Sequence, residues 1–311
     1  MKFSVVVPVY GNASTLETLI SRLSVVAGRL DGPLEIVFVV DASPDDSLAI
    51  LRRLLPVAAV PTQLVVHSRN FGSFAAIRTG LMAASGEYIA VMAADLQEPP
   101  ELMEEFFAAL ADDTHDVAVG RRVSRADPAM SSAMSRLFWG TYRRLINPDI
   151  PPGGVDVFAV SKPAADELLR LHESHSSLIG LLFWIGYDRV EVPYDRLERP
   201  DGTSGWTMRK RTRYLLDSVF SFTDIPISLL STVGVLGAIT TVVVAVIVFG
   251  TWAMGGINDV GYTPLMLVLL FSTFSLLSGL GVVGSYVWRT YENSKARPWA
   301  IPISRERFGG K

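Results

Sequence analysis

Asp95 and Gln97 stand two positions apart in the stretch YIAVMAADLQEPPEL, residues 88–102. The apolar run before them reads as a buried strand. Glu98-Pro99-Pro100 stops that strand, and acids at 101, 104 and 105 open a helix in the first turn, where they suit the helix dipole. A carboxylate and a carboxamide at a strand's carboxyl end lie where open α/β sheets bind their ligands. Two hard oxygen donors there suit a divalent cation holding a diphosphate. A solvated strand-to-helix turn would read the same way in isolation. Two other strand-like runs end on chemistry of their own, one at Pro8-Val9-Tyr10 and one at Asp41. An aromatic ring, a carboxylate able to accept from a base N–H, and a metal-holding carboxylate would together suit a nucleoside diphosphate.

Those groups meet only if the strands that carry them are parallel. Apolar, β-rich runs at residues 3–9, 34–40, 63–67, 88–93 and 116–120 alternate with helix-like segments at 16–30, 47–55 and 74–84. That alternation predicts a mostly parallel α/β sheet covered on both faces. Further on, residues 155–160 read as a strand carrying Asp156, and 163–171 and 176–185 read as helices. The α/β part, residues 1–205, has no GxGxxG and no P-loop, which argues against an ordinary dinucleotide or ATP site there. His172-x-x-His175 has the look of a metal pair but lacks a third ligand, and reads as a surface turn.

Composition sets the wider frame. A net charge of −3 gives no reason to expect nucleic acid, and the absence of cysteine excludes disulfides and thiolate metal sites. The apolar run at the N-terminus is too short for a signal peptide. Residues 226–258 carry no charge, and neither do 260–288. Each run exceeds the roughly 20 apolar residues that cross a bilayer. The expected organisation is a globular domain over 1–205, a juxtamembrane amphipathic segment over 206–225, a two-helix transmembrane hairpin within 226–289 (about 227–250 and 264–288), and a basic tail over 290–311. Lys and Arg flank the hairpin at 209–213 and at 289, 295 and 297, while the loop between the spans has none. The positive-inside rule then places both termini in the cytosol. Gly234, Gly237, Gly279, Gly281 and Gly284 suggest close helix packing, within the hairpin or between protomers of a homo-oligomer. Rings mixed with arginines over 129–146 suit a helix lying in the headgroup region, or a core helix with a basic outer face.

The segments VVVPVYGN, VVDASPDDS, HSRNFGSFAAIRTGL and ADLQEPPEL resemble the family 2 glycosyltransferases of GT-A fold. More narrowly, they resemble the membrane-anchored branch that makes polyprenyl-phosphate sugars. The resemblance implies an inverting enzyme that moves one sugar from a nucleotide-diphosphate sugar to a polyprenyl phosphate, at the cytosolic face of a bacterial inner membrane. It implies that Pro8, Tyr10, Asp41, Arg69 and Asp95 hold the donor, and that Asp95 and Gln97 bind Mg²⁺ or Mn²⁺. Arg122 and Arg125 match a family Gly-x-Arg-x-x-Arg, and Arg199 with Ser204 matches a later Arg-x-x-Gly-x-Ser. These four would face the acceptor phosphate, which arginine binds in bidentate fashion. Asp156 would position the acceptor or act as a weak base, and with Asp95 completes the catalytic pair. Three acids usual in the family are missing, with Asn12, Ala42 and Ala93 in their places. That leaves two alternatives in view, a different glycolipid acceptor or a membrane scaffold that keeps the fold without turnover. The Gln-x-x-Arg-Trp of processive synthases is absent, which favours one sugar per acceptor.

Overall fold

The computed structural model describes residues 1–112, 114–123, 140, 142–144, 147–152, 154–173, 176–197, 208–254 and 262–309. The strands are β1 (Phe3–Val9), β2 (Leu34–Val40), β3 (Thr62–His67), β4 (Tyr88–Val91), β5 (Val117–Arg122), β6 (Phe158–Ser161), β7 (Arg189–Tyr194) and β8 (Pro302–Phe308). They form one eight-stranded sheet in the order β7-β5-β6-β4-β1-β2-β3-β8. Pairings β1–β2, β1–β4, β2–β3 and β5–β7 are parallel, whereas β6 runs antiparallel to both β4 and β5, and β8 to β3. The sheet is therefore mostly parallel but mixed.

Helices cover both faces, so the inner strands are apolar throughout rather than alternating. Strand periodicity divides their side chains between two cores. Val5, Val7, Ile36 and Phe38 pack with Leu16, Leu19 and Leu23 of α1 (Leu16–Ala27) and Phe106 and Phe107 of α4 (Leu102–Ala111). Val6, Val37 and Val39 pack on the other side with Ile77 and Leu81 of α3 (Ser73–Ala83), Leu168 of α5 (Lys162–Arg170) and Leu181 of α6 (Leu178–Trp184). The helix α2 (Ser47–Leu54) follows β2. Gly80 lets α3 lie close on β1, since a Cβ there would fall 2.1 Å from Val6 Cγ1.

Three long helices follow: α7 (Met208–Phe222), α8 (Ile225–Ala253) and α9 (Tyr262–Ser294). The chain bends by 72° between Tyr214–Phe222 and Ile225–Gly237. Among the described residues Phe271–Ser294 is long and apolar enough to cross a membrane, and that bent pair passes the same test jointly. Leu229, Val233, Val246, Phe271, Phe274 and Leu276 are each more than half exposed on these helices. Leu230 meets Gly279, and Arg289 near the end of α9 donates to Asp217 of α7 at 2.7 Å. The last helix thus returns to the globular domain.

The structure corrects two sequence expectations. Residues 302–308 do not belong to a separate basic tail; they form β8 and extend the sheet beyond β3, with Arg52 Nη2 2.7 Å from Glu306 Oε1. Asp156 is not on a strand, because β6 starts at Phe158 and Asp156 stands in the turn before it. Arg125, Arg199, Ser204, His175 and most of 129–146 lie outside the described residues.

Candidate active site

β1, β2, β3, β4, β5 and β7 all end at one edge of the sheet, and β6 and β8 begin there, so seven connections converge, the one from β5 to β6 counted once. On the β2 side the first two loops are laced together. Gly11 N donates to Ser43 Oγ at 2.8 Å, Ala13 N donates to Asp45 Oδ2 at 2.9 Å, and Ser43 Oγ donates to Asp45 Oδ1 at 2.6 Å. Burial disfavours the Asp45 carboxylate, but these donors outweigh it and hold its pKa down at about 2. Tyr10 remains exposed at the rim, with Pro8 half-buried below it.

Asp41 is bonded to groups of the fold itself. It is 3% exposed. Its Oδ1 accepts from His67 Nδ1 at 2.8 Å and from Phe71 N at 2.9 Å, and its Oδ2 accepts from Gly72 N at 2.7 Å. A carboxylate accepts only, so His67 carries its proton on Nδ1. Nε2 then faces Thr79 Oγ1 of α3 at 2.9 Å. Gly72 holds a φ of +98°, a backbone region that favours glycine, which turns the chain into α3 just after the N–H that Asp41 holds. Asp41 thus fixes the 68–72 loop from beneath instead of offering an open carboxylate. Arg69 lies exposed above it, with its guanidinium 4.1 Å from the Phe71 ring centre.

On the β4 side, Leu96 has a left-handed φ of +58° and a buried side chain. That conformation costs a non-glycine residue about 1–2 kcal/mol. It alternates the loop so that Leu96 enters the core while Asp95 and Gln97 stay half-exposed. Gln97 Oε1 accepts from Arg196 Nη2 at 2.7 Å, and Gln97 O accepts from Leu197 N at 2.9 Å. The loop after β7 is therefore fastened across the loop after β4.

Asp156 faces these groups from the turn before β6. Its Oδ2 pairs closely with Arg122 Nη2, lies 3.8 Å from Arg196 Nη1 and is within 3.5 Å of the Tyr194 hydroxyl. Glu98 is 1% exposed beside them. Burial first, then the charges of Asp156 and Asp95, push its pKa up to about 8 against the pull of Arg196 and Arg122. Burial opposes the Arg196 cation, yet Asp156 and Glu98 raise its pKa overall. Glu98 Oε2, Arg122 Nε and Arg196 Nε have no hydrogen-bond partner among the described residues. This polar pocket therefore has unused capacity for a water or an anionic oxygen.

Asp95 supplies a hard carboxylate oxygen that fits a divalent ion held chiefly by a substrate's phosphates, and Gln97 could join it only by releasing Arg196 from its Oε1. No group of three or more His, Cys, Asp or Glu able to hold a metal occurs among the described residues. Sequence reasoning missed Arg196, Glu98, His67 and Thr79. Glu98 read as a strand stop and His67 as a strand end, and nothing in the sequence set Arg196 or Thr79 apart.

The sequence model of Glycosyl transferase family 2 matches residues 4–169. The chain is 30% identical over 300 residues to the uncharacterized glycosyltransferase sll0501 of Synechocystis, covering 96% of this chain and 93% of that one. It is also 30% identical over 302 residues to the undecaprenyl-phosphate 4-deoxy-4-formamido-L-arabinose transferase of Pseudomonas syringae, covering 95% and 88%. Among solved structures, a Pyrobaculum calidifontis mannosyltransferase in complex with GDP-Man and Mn²⁺ aligns over 91% of this chain and 87% of its own. Its TM-score is 0.45 at 18% identity.

Proposed function

Because the chain belongs to glycosyl transferase family 2, with the GT-A fold, it is a glycosyltransferase, and we propose that it moves one sugar from a nucleotide-diphosphate sugar to a polyprenyl phosphate. The observation that carries this reading is the gathering of Asp95, Gln97, Arg122, Asp156 and Arg196 at one sheet edge. The linked loops at 10–13 and 43–47, with Tyr10 at their rim, suit the nucleoside. Asp95, joined by Gln97, would hold Mg²⁺ or Mn²⁺, which supplies Lewis-acid neutralisation of the departing diphosphate. Arg122 and Arg196 offer guanidinium forks for the acceptor phosphate, and Asp156 holds both forks in place.

In the reaction, a phosphate oxygen of the lipid attacks the anomeric carbon from the face opposite the leaving group. The anomeric carbon–oxygen bond breaks, its electron pair leaves with the nucleoside diphosphate, and the configuration inverts. An acceptor phosphate is already ionised near neutral pH, so Asp156 need not remove a proton. The relative that acts on undecaprenyl phosphate supports the acceptor class. The apolar, exposed α8 and α9 support a bilayer setting; two crossings would keep both ends of the chain on one side, in keeping with β8, and the basic flanks would make that side the cytosol.

The test is transfer from radiolabelled nucleotide sugars into membranes containing the protein, with polyprenyl phosphate and Mg²⁺ or Mn²⁺. Label in an organic-phase, mild-acid-labile product is expected, with loss of at least about 10²-fold in Asp95→Asn. Unchanged turnover in that variant would remove the metal assignment. Ala42, Ala93 and the internally bonded Asp41 favour a second reading, a scaffold that keeps the fold. Nucleotide binding without transfer across the whole panel would favour it.

A further inference from the structure

Trp299 lies in the segment that returns from α9 to β8, about a hundred or more positions from the side chains gathered at the candidate site. Its ring centre is 4.0 Å from the Arg78 guanidinium, and its other neighbour is the His172 ring, stacked at 4.9 Å and 19°. Arg78 is 5% exposed on α3, and its Nη1 donates to Leu171 O at 2.7 Å. Burial pulls its pKa down to about 10, so the indole face covers a cation that water no longer solvates. Two residues beyond Trp299, Ile301 O accepts from Ser68 N at 2.9 Å. The same segment therefore touches α3 at Arg78 and the 68–72 loop at its first residue. The next residue on α3 is Thr79, the group that faces His67, which in turn donates to Asp41 beneath Phe71 and Gly72.

We propose that Trp299 is a positioning residue for the donor: the returning segment braces the 68–72 loop directly through Ile301 and indirectly through Arg78, Thr79, His67 and Asp41. The inference rests on the reading of that loop as part of a nucleotide-sugar site. It goes further in making donor binding depend on the chain's passage back from the long helices.

Full-length protein in detergent or nanodiscs is assayed for UDP, GDP, CDP and dTDP binding, and for donor and acceptor KM with the sugar nucleotide that it uses. Trp299→Ala is expected to raise donor KM and nucleoside diphosphate Kd about tenfold, with kcat and acceptor KM within about twofold. Trp299→Phe keeps a ring over Arg78 and is expected to recover most of the loss. Thr79→Val interrupts the chain of contacts without touching Trp299 and is expected to shift donor KM in the same direction by a smaller factor. Melting temperatures of all three separate binding from folding. Unchanged donor KM in Trp299→Ala and Thr79→Val overturns the inference, as does an equal loss on donor and acceptor that Trp299→Phe fails to rescue. A wild-type chain that binds none of the four nucleotides removes the underlying reading and the inference together, a result distinct from either of those.

Discussion

Two carboxylates at the same sheet edge, Asp41 and Asp156, are spent in opposite ways. Asp41 is buried, and its oxygens accept from one imidazole and two backbone N–H groups, all fixed by the fold. Asp156 keeps a side chain 29% exposed and is held by Arg122 and Arg196, whose guanidiniums can exchange it for another anion. The first carboxylate builds a wall, and the second is placed among groups that can take part. Proximity to a ligand site is thus a poor guide to role, and the identity of the hydrogen-bond donors is a better one.

That contrast has measurable consequences. Asp156→Asn should lower kcat about 10²-fold through misplaced arginine forks, with little change in melting temperature. A loss confined to stability would place Asp156 with Asp41 instead. Asp41→Asn should behave in the reverse way. Its amide sets N–H against the N–H of Phe71 or Gly72, costing about 2–3 kcal/mol, or roughly 5–10 °C in melting temperature. A normal melting curve with abolished turnover would show that Asp41 meets the donor directly.

The smallest effect belongs to Asp45, which joins the first two loops. Its folded pKa of about 2 lies below the ordinary 3.8, so its contribution is present above about pH 4 and is lost as pH falls toward 2. Asp45→Asn should therefore melt lower than wild type at pH 7, by less than about 1 kcal/mol given its partial exposure, and the gap should close on acidification. A gap independent of pH would remove the charge from the explanation.

Much of this was legible in the sequence because the inner strands are unbroken apolar runs. Residues 34–40 were readable as β2 without adjustment, and Asp95-x-Gln97 stands at the turn that Pro99 and Pro100 enforce. The electrostatic partners were not legible. Arg196 meets Gln97 across 99 positions, and nothing in its own neighbourhood separates it from other loop arginines. His67 opens the segment HSRNFGSFAAIRTGL, yet its own role comes only from Asp41 just past β2 and Thr79 on the helix. PISRERF has the alternation of a half-covered edge strand, with Ser304, Glu306 and Phe308 turned inward, but its charges hid that signal.

The pairing of β8 with β3 also orders events in time. Arg52 and Glu306, which close that edge, are separated by 254 positions. A chain under synthesis therefore carries β3 with an open flank, an invitation to wrong partners, until α8 and α9 have emerged and found their seat. Only then does the last strand arrive to seal it. The sheet is thus completed by the part of the chain made last.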